Sequence, residues 1–538
     1  METSRSSRVW TLLLTGSVVA VALALRLPRL DRRPMHGDEA NQAVRTGLLL
    51  ETGIYHYDPS DHHGPVLYFA ALPFCRATAA TFAETTEWNY RLVPVLFSCL
   101  TLLLMTGLGL KGDSGLFDNR SGLFCALTLT AVSPAMVYYS RFFIQESMLV
   151  TFLTGMLVCG RLYVRERVGM RPERVGARPA CLYALGFGTF AGLAVATKET
   201  VVLSFAAMAL AALVAFGPRR LFSAWNTRHV ALAAGAAVFV AAVLFSSFFT
   251  YPRGVYDAVF ATVSAYAKRA MDVPEHQHPW NFYLSLLFWF KYGRGPVWSE
   301  AGVLIPGLLA AVAAVWPRQR DAEAAGHARF VRFILVYTLA LTALYSAIPY
   351  KTPWCVLSFL HGYILLAGIG VGVAVEGLKR FSKLGRAAGG AGVAVLVGLL
   401  VWRHAEQACR ACFTWPADPR NPYVYAHTGS DAMNLVAEVE AAARRASGYD
   451  TLIAIAVPTP DTWPLPWYLR KYKQVGYWTR VADIPAAVMP EIVIAAADQG
   501  DLADARFGRG KQASFFGIRP GVLLHVFVPV QESSGKRK

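Results

Sequence analysis

The chain has 538 residues, 55% of them hydrophobic and 16% charged, with a formal net charge of +17 and a mean hydropathy of +0.37. So small a charged fraction excludes a purely soluble globular protein and points to a polytopic membrane protein with some aqueous mass. The positive charge lies mostly in short loops between apolar runs, a pattern of membrane topology and lipid headgroups, and no basic–aromatic motif supports nucleic-acid binding.

Apolar runs near bilayer-spanning length recur through residue 403. Eleven spans are expected, at about 9–25, 91–110, 121–139, 146–163, 181–197, 200–216, 229–249, 297–316, 331–348, 354–375 and 387–403. The first is followed by Arg26-Leu27-Pro28-Arg29 without a small-residue cleavage site, so it reads as a retained anchor. The segment 65–82 is apolar but broken by prolines and Arg76, and reads as a helix lying along the surface, with a twelfth span as the alternative.

Arginines and lysines crowd the loops 161–180, 217–228, 318–332 and 379–386, all on one side of an eleven-span arrangement. That side is expected to be the cytoplasm, with the amino terminus inside and the protein in the cell membrane. Loops 26–90 and 250–296 and everything after residue 403 are then outside. Arg26, Arg29, Arg32 and Arg33 follow the first span on the outer side; they run against the charge rule but suit a site that handles phosphate.

From about 404 the character changes. Ser430 is placed to cap a helix from Asp431 to about Arg445, and 452–457, 491–495 and 522–528 read as strands. The expected fold is therefore mainly α, with a transmembrane domain over 1–403 and an extracytoplasmic α/β domain over 404–538. The eight cysteines are scattered, and only Cys409 and Cys412 have suggestive spacing for redox chemistry or a disulfide.

Five outer segments carry candidate chemistry. His36-Gly37-Asp38-Glu39-Ala40 sets two carboxylates where membrane meets water, and charge near hydrocarbon is costly enough to be more often functional than ornamental. In a helix Asp38 and Glu39 project about 100° apart, so they would not share a proton; one can act as a base while the other holds a metal or a basic partner. The pair would equally suit the dipole at a helix start. His62 and His63, with Asp58 and Asp61, have the chemistry for a metal or phosphate, or for a hydrogen-bonded turn. Arg141 and Glu146 bracket a turn after the third span, and snorkelling also accounts for that arginine. His276 and His278, alternating on an extended segment beside Glu275, form a usable two-ligand set. Lys351, in a turn between Pro349 and Pro353, suits a phosphate contact; Lys198, beside Glu199, is a second contact or an ion pair.

These residues, in this order, resemble a GT-C membrane glycosyltransferase of the dolichyl-phosphate-mannose–protein mannosyltransferase type over about residues 1–400. The shared marks are the acidic pair after span one, the Arg/Glu turn, Thr197-Lys198-Glu199 and the Lys-x-Pro turn. A prokaryotic branch often described as flippase-activity-associated proteins also resembles the chain in His62-His63-Gly64-Pro65, His278-Pro279-Trp280, Pro349–Trp354 and the run Trp463–Arg470. The resemblance implies a polyprenyl-phosphate-linked sugar donor and inverting transfer on the outer face to a protein, glycan or lipid acceptor. Asp38 would be the general base and Glu39 its support. Lys351, Arg141 and Lys198 would meet the donor phosphate. His62, His63, Glu146, His276 and His278 are left for support or a divalent metal. The competing expectation is a transporter or flippase component handling lipid-linked sugars without bond chemistry. It should carry ionisable or broken-helix sites at mid-membrane, whereas the polar residues cluster at the outer edge.

Overall fold

The computed structural model describes residues 2–59, 63–109, 116–117, 119–168, 177–262, 276–315 and 322–530. Contacts within the chain group it into two units. The first holds the chain up to Pro28, Ile54–Ala70 and Arg91–Tyr423; the second holds Arg29–Gly53, Ala71–Tyr90 and the chain from Val424 on. The sequence placed a single boundary at 403, whereas the contact grouping carries the first unit on to Tyr423 and joins two early segments to the carboxy-terminal part.

The first unit is helical. Each of the eleven expected apolar runs is met by a helix. Among the described residues seven helices are long and apolar enough to cross a membrane, eight if Val201–Phe216 and Pro218–Ala224, bent by 101° at Gly217, are counted as one span. Shorter apolar helices cover Arg120–Val132, Ala180–Val195 and Ala301–Val315. Helices pack closely where small residues face each other. Gly188 and Gly192 lie against Ala233 and Ala237 of the helix Thr227–Phe245, and a Cβ built on Gly188 would stand 2.0 Å from the Ala233 carbonyl oxygen.

Arginines secure the end of the first helix, Glu2–Arg26. Arg26 is fully buried and donates to Ser98 Oγ at 2.9 Å and to the Ala131 and Thr130 carbonyls at 2.7 and 3.3 Å. It therefore satisfies carbonyls that the end of the helix Arg120–Val132 leaves without an intrahelical partner.

The second unit carries a five-stranded sheet: β1 Leu452–Ala456, β2 Gln474–Trp478, β3 Ile492–Ala496, β4 Lys511–Arg519 and β5 Val522–Pro529. Its order is β2-β1-β3-β5-β4, with β1 parallel to both β2 and β3, and β5 antiparallel to β3 and β4. Ile453 and Ile455 face one core with Leu435, Val439 and Leu465; Ala454 and Ala456 face another with Ala503 and Phe507. This two-residue alternation puts the helices Asp431–Arg445 and Gly500–Phe507 on opposite faces. Ser430 precedes the first of these but makes no side-chain cap; Asp431 instead accepts the Gly517 N–H at 2.8 Å. All cysteines are free, Cys409 and Cys412 included.

Candidate functional site

In the second unit the acidic pair opens the helix Gly37–Thr52, and its two carboxylates have different surroundings. Glu39 is completely buried. Its Oε2 accepts from Arg33 Nη2 at 2.8 Å and from the His36 N–H at 3.0 Å, while the His36 ring accepts the Asp38 N–H at 3.1 Å. This is a reciprocal capping box that satisfies donors the first helical turn leaves open. The Asp38 side chain, by contrast, is 52% exposed.

Contacts from the rest of this unit fix the helix start. Thr428 Oγ1 donates to the Met35 carbonyl at 2.7 Å, the Met35 N–H donates to the Tyr468 hydroxyl oxygen at 2.8 Å, and His36 Nε2 lies 2.9 Å from the Tyr425 carbonyl. The ring of His427, which accepts the Tyr425 N–H at 2.9 Å, meets that of His36 edge-on at 4.9 Å. Burial, then the neighbouring His36 and Arg33, hold the His427 imidazole well below the ordinary histidine range, against an opposing pull from Glu39. Gly37 packs beside Trp463 and Arg519: a Cβ built on it would stand in ordinary contact, 3.5 Å from Trp463 Cβ and 3.6 Å from Arg519. Trp463 follows the carboxyl end of β1, beside the point where the strand order reverses, the place where open α/β sheets leave a crevice.

The run Trp463–Arg470 acts as a clamp. Trp467 is buried, donates to Glu87 Oε1 at 3.2 Å and meets Tyr90 edge-on; Arg470 lies 3.6 Å over the Trp467 ring and donates to the Thr85 carbonyl at 2.5 Å.

In the first unit the lysine turn and the histidine segment come together. Gln277 and Tyr350 form an antiparallel bridge, the Lys351 N–H donates to the His276 carbonyl at 2.9 Å, and the His278 N–H donates to Pro349. The Lys351 ammonium, 1% exposed as a residue, donates to the His278 carbonyl at 3.0 Å and to that of Ile348. Two of its three protons are thereby directed, and burial lowers the ammonium from the ordinary lysine value. His278 stacks on Phe282 at 4.2 Å, and His276 packs at 4.8 Å from Tyr350. Burial, then His276 and Lys351, lower the His278 imidazole.

Lys198 pairs with Glu146 rather than with its neighbour Glu199, and both are buried. Burial alone would lower the Lys198 ammonium; the Glu146 carboxylate, Cys355 and Tyr345 together outweigh it and raise the group. Glu199 instead bridges His63 Nδ1 at 2.9 Å and the Tyr57 hydroxyl at 3.0 Å. Arg141 donates to the carbonyls of Arg26 at 2.5 Å and Pro28 at 2.8 Å, and lies 4.9 Å from the Phe413 ring centre. Its guanidinium caps the end of the first helix, a role its expected phosphate contact did not foresee. Arg26 and Arg33, singled out as suited to phosphate, are likewise engaged, with carbonyls and with Glu39.

Among the described residues no three His, Cys, Asp or Glu side chains come close enough to hold a metal ion; Asp61, His62 and Glu275 lie outside them. His63 is tied to Glu199, and His276 and His278 rest on different rings.

Sequence reasoning missed Arg33 as the partner of Glu39, Tyr57 as a partner of Glu199, and His427. It also missed Glu300, a buried carboxylate that takes bonds from Ser133, Tyr423 and the Ala135 N–H. Separation in sequence hid the partners of Tyr57 and Glu300, and irregular backbone before the helix hid Arg33.

No protein-family model matches the sequence, and no curated protein matches it. Solved structures do match in fold. The chain is similar to ArnT from Cupriavidus metallidurans bound to undecaprenyl phosphate, with 13% identity, a TM-score of 0.64, and coverage of 96% of this chain and 98% of that one. It is also similar to the archaeal oligosaccharyltransferase AglB from Archaeoglobus fulgidus, solved with an inhibitory peptide and a dolichol-phosphate, with 11% identity, a TM-score of 0.57, and coverage of 87% of this chain and 64% of that one. The Archaeoglobus enzyme in complex with Zn and sulfate matches with a TM-score of 0.51 and 11% identity. The chain shares its fold with these membrane-protein structures.

Proposed function

We propose that the protein is a membrane glycosyltransferase that takes a sugar from a polyprenyl-phosphate donor and passes it, with inversion, to an acceptor outside the cytoplasm. The observation that carries this reading is likeness in fold along nearly the full length of a structure bound to undecaprenyl phosphate. The order of motifs adds the narrower kinship with mannosyltransferases, and basic loops favour a cytoplasmic amino terminus.

Asp38 is assigned as the general base. An acceptor hydroxyl is a weak nucleophile until its proton is removed, and Asp38 is the exposed member of the pair, held at a helix start by the capping box beneath it. As the proton passes to Asp38, the acceptor oxygen bonds to the anomeric carbon, and the bond from that carbon to the phosphate oxygen breaks. The polyprenyl phosphate leaves with the electron pair and needs no protonating acid. Lys351 is assigned to the donor phosphate: its ammonium is held by two carbonyls and can offer its third proton. Lys198 and Arg141 are assigned supporting roles, through the Glu146 pair and the cap on the first helix. Metal chemistry enters no step of this scheme.

The test is outer-face transfer in proteoliposomes from a polyprenyl-phosphate hexose, comparing wild type with Asp38→Asn. Loss of about 10²–10⁴ in rate supports the assignment, the range for removing a positioned general base. Retained transfer overturns the base, and lipid scrambling without transfer by wild type overturns the enzyme.

A further inference from the structure

The helix Glu146–Val168 carries the Lys198 pair at its first residue, and about 22 Å further along it stands Arg161. Here the helix meets Ala177–Val195 and the distal ends of Val201–Phe216 and Ala322–Ala347 around a cavity of about 430 Å³. Its walls are apolar, among them Phe187, Met208, Ala212, Phe216 and Phe333, and its charged lining residue is Arg161, whose guanidinium lies 4.7 Å over the Phe330 ring. A cavity of this size falls within the roughly 300–1,000 Å³ of small-molecule sites.

A second hollow of about 150 Å³ adjoins it, sharing Val164, Phe216 and Leu221 and adding Arg220 and Trp225. Both belong to the segment that turns by 101° after Phe216. That short helix, Pro218–Ala224, runs across the direction of its neighbour, with Phe222 and Trp225 exposed and Arg219 and Arg220 between apolar residues. Exposed aromatics beside arginines mark a helix lying at headgroup depth. Residues 156–168, 218–224 and 326–337 together hold seven arginines and one acid, Glu166.

We propose that this cavity is a binding site for an anionic glycerophospholipid of the cytoplasmic leaflet, with one acyl chain in the apolar hollow and its phosphate at Arg161 and Arg220. Charge selects the occupant: a net-anionic headgroup complements the arginines, whereas a zwitterionic one brings a compensating positive charge to them. The site lies at the far ends of the helices from Lys198 and Lys351, so it is separate from the proposed donor contacts, and it does not depend on the protein being an enzyme.

The experiment is native mass spectrometry of the full chain released from nanodiscs of phosphatidylglycerol and phosphatidylcholine in equal parts. Wild type should retain one phosphatidylglycerol in preference to phosphatidylcholine. Arg161→Gln and Arg220→Gln should each weaken that preference about fivefold, and Ala212→Trp, which fills the hollow without altering charge, should abolish retention. Unaltered thermal unfolding of the two glutamine variants makes their loss one of binding. Equal retention of both lipids by wild type, or undiminished phosphatidylglycerol in all three variants, overturns the proposal. Preferential retention of undecaprenyl phosphate in a competition overturns the occupant.

Discussion

Replacing Glu39 and Asp38 one at a time should give different phenotypes, although the two are adjacent and chemically alike. Glu39→Gln keeps the shape but removes the charge facing Arg33, which is 9% exposed and 2.8 Å away. Removing one partner of a buried pair leaves the other charge uncompensated, at about 3–5 kcal/mol. Weakening the reciprocal bond to the His36 N–H adds up to about 1 kcal/mol, the typical value of a lost cap. If the helix opens locally, amide exchange over Gly37–Thr52 should accelerate by about two to four powers of ten, at roughly 1.4 kcal/mol per decade. Asp38→Asn, on an exposed side chain, should leave exchange within about 0.5 kcal/mol of wild type while slowing transfer by about 10²–10⁴. Hydrogen exchange of both variants beside proteoliposome transfer makes the comparison, and Arg33→Met/Glu39→Met tests the pair itself, since replacing both charges should recover much of the loss. Unchanged exchange in Glu39→Gln would refute the assignment of Glu39 as the anchor.

His427 gives a pH dependence with a definite sign. Its folded pKa lies below the unfolded value, so below about pH 6.5 the unfolded chain binds more protons at this position. Stability contributed by the neutral ring is full above pH 6.5 and falls on acidification by up to about 1.4 kcal/mol per pH unit. Thermal unfolding between pH 7.5 and 5 should show this slope, reduced in His427→Gln; His36, Arg33 and Glu39 are the charged or titratable groups that face the ring. Lys351→Met should weaken undecaprenyl-phosphate binding about 10–100-fold, the value of a charge-assisted hydrogen bond of about 1.5–3 kcal/mol, read by titration in nanodiscs. Gly188→Val should lower the unfolding temperature through a clash worth about 1–3 kcal/mol or more, whereas Gly235→Ala, with nothing within 4 Å of its added Cβ, should not.

The helical unit was legible because a membrane span announces itself by local composition. The strands read from sequence, β1, β3 and β5, include β1 and β3 as short apolar runs whose residues are almost all buried. The two missed lie at the edges: β4, with Lys511, Gln512 and Ser514 among its residues, mixes polar and apolar positions because one side faces water, and β2 contains Gly476 and has no fully buried residue. The joining of residues 29–53 and 71–90 to the carboxy-terminal sheet left no local trace. Trp467 reaches Glu87 across 380 positions, and Tyr468 reaches Met35 across 433. The run containing them stood out in the sequence as a motif without a stated task, and the structure supplies one in tethering.

The acidic motif was legible as chemistry but not as construction. The angular separation of adjacent helical side chains already forced Asp38 and Glu39 into different environments. What it could not supply was the direction of each, because Arg33 lies on irregular backbone before the helix, where no periodicity locates a side chain. Once Arg33 is in place, the motif divides cleanly. His36 and Glu39 exchange hydrogen bonds across the first turn, and Asp38 alone keeps an accessible carboxylate. Most of the motif is therefore a device for fixing one aspartate. A substitution at His36 or Glu39 should then lower the rate by displacing Asp38, and should move stability and rate together, whereas a substitution at Asp38 should move rate alone.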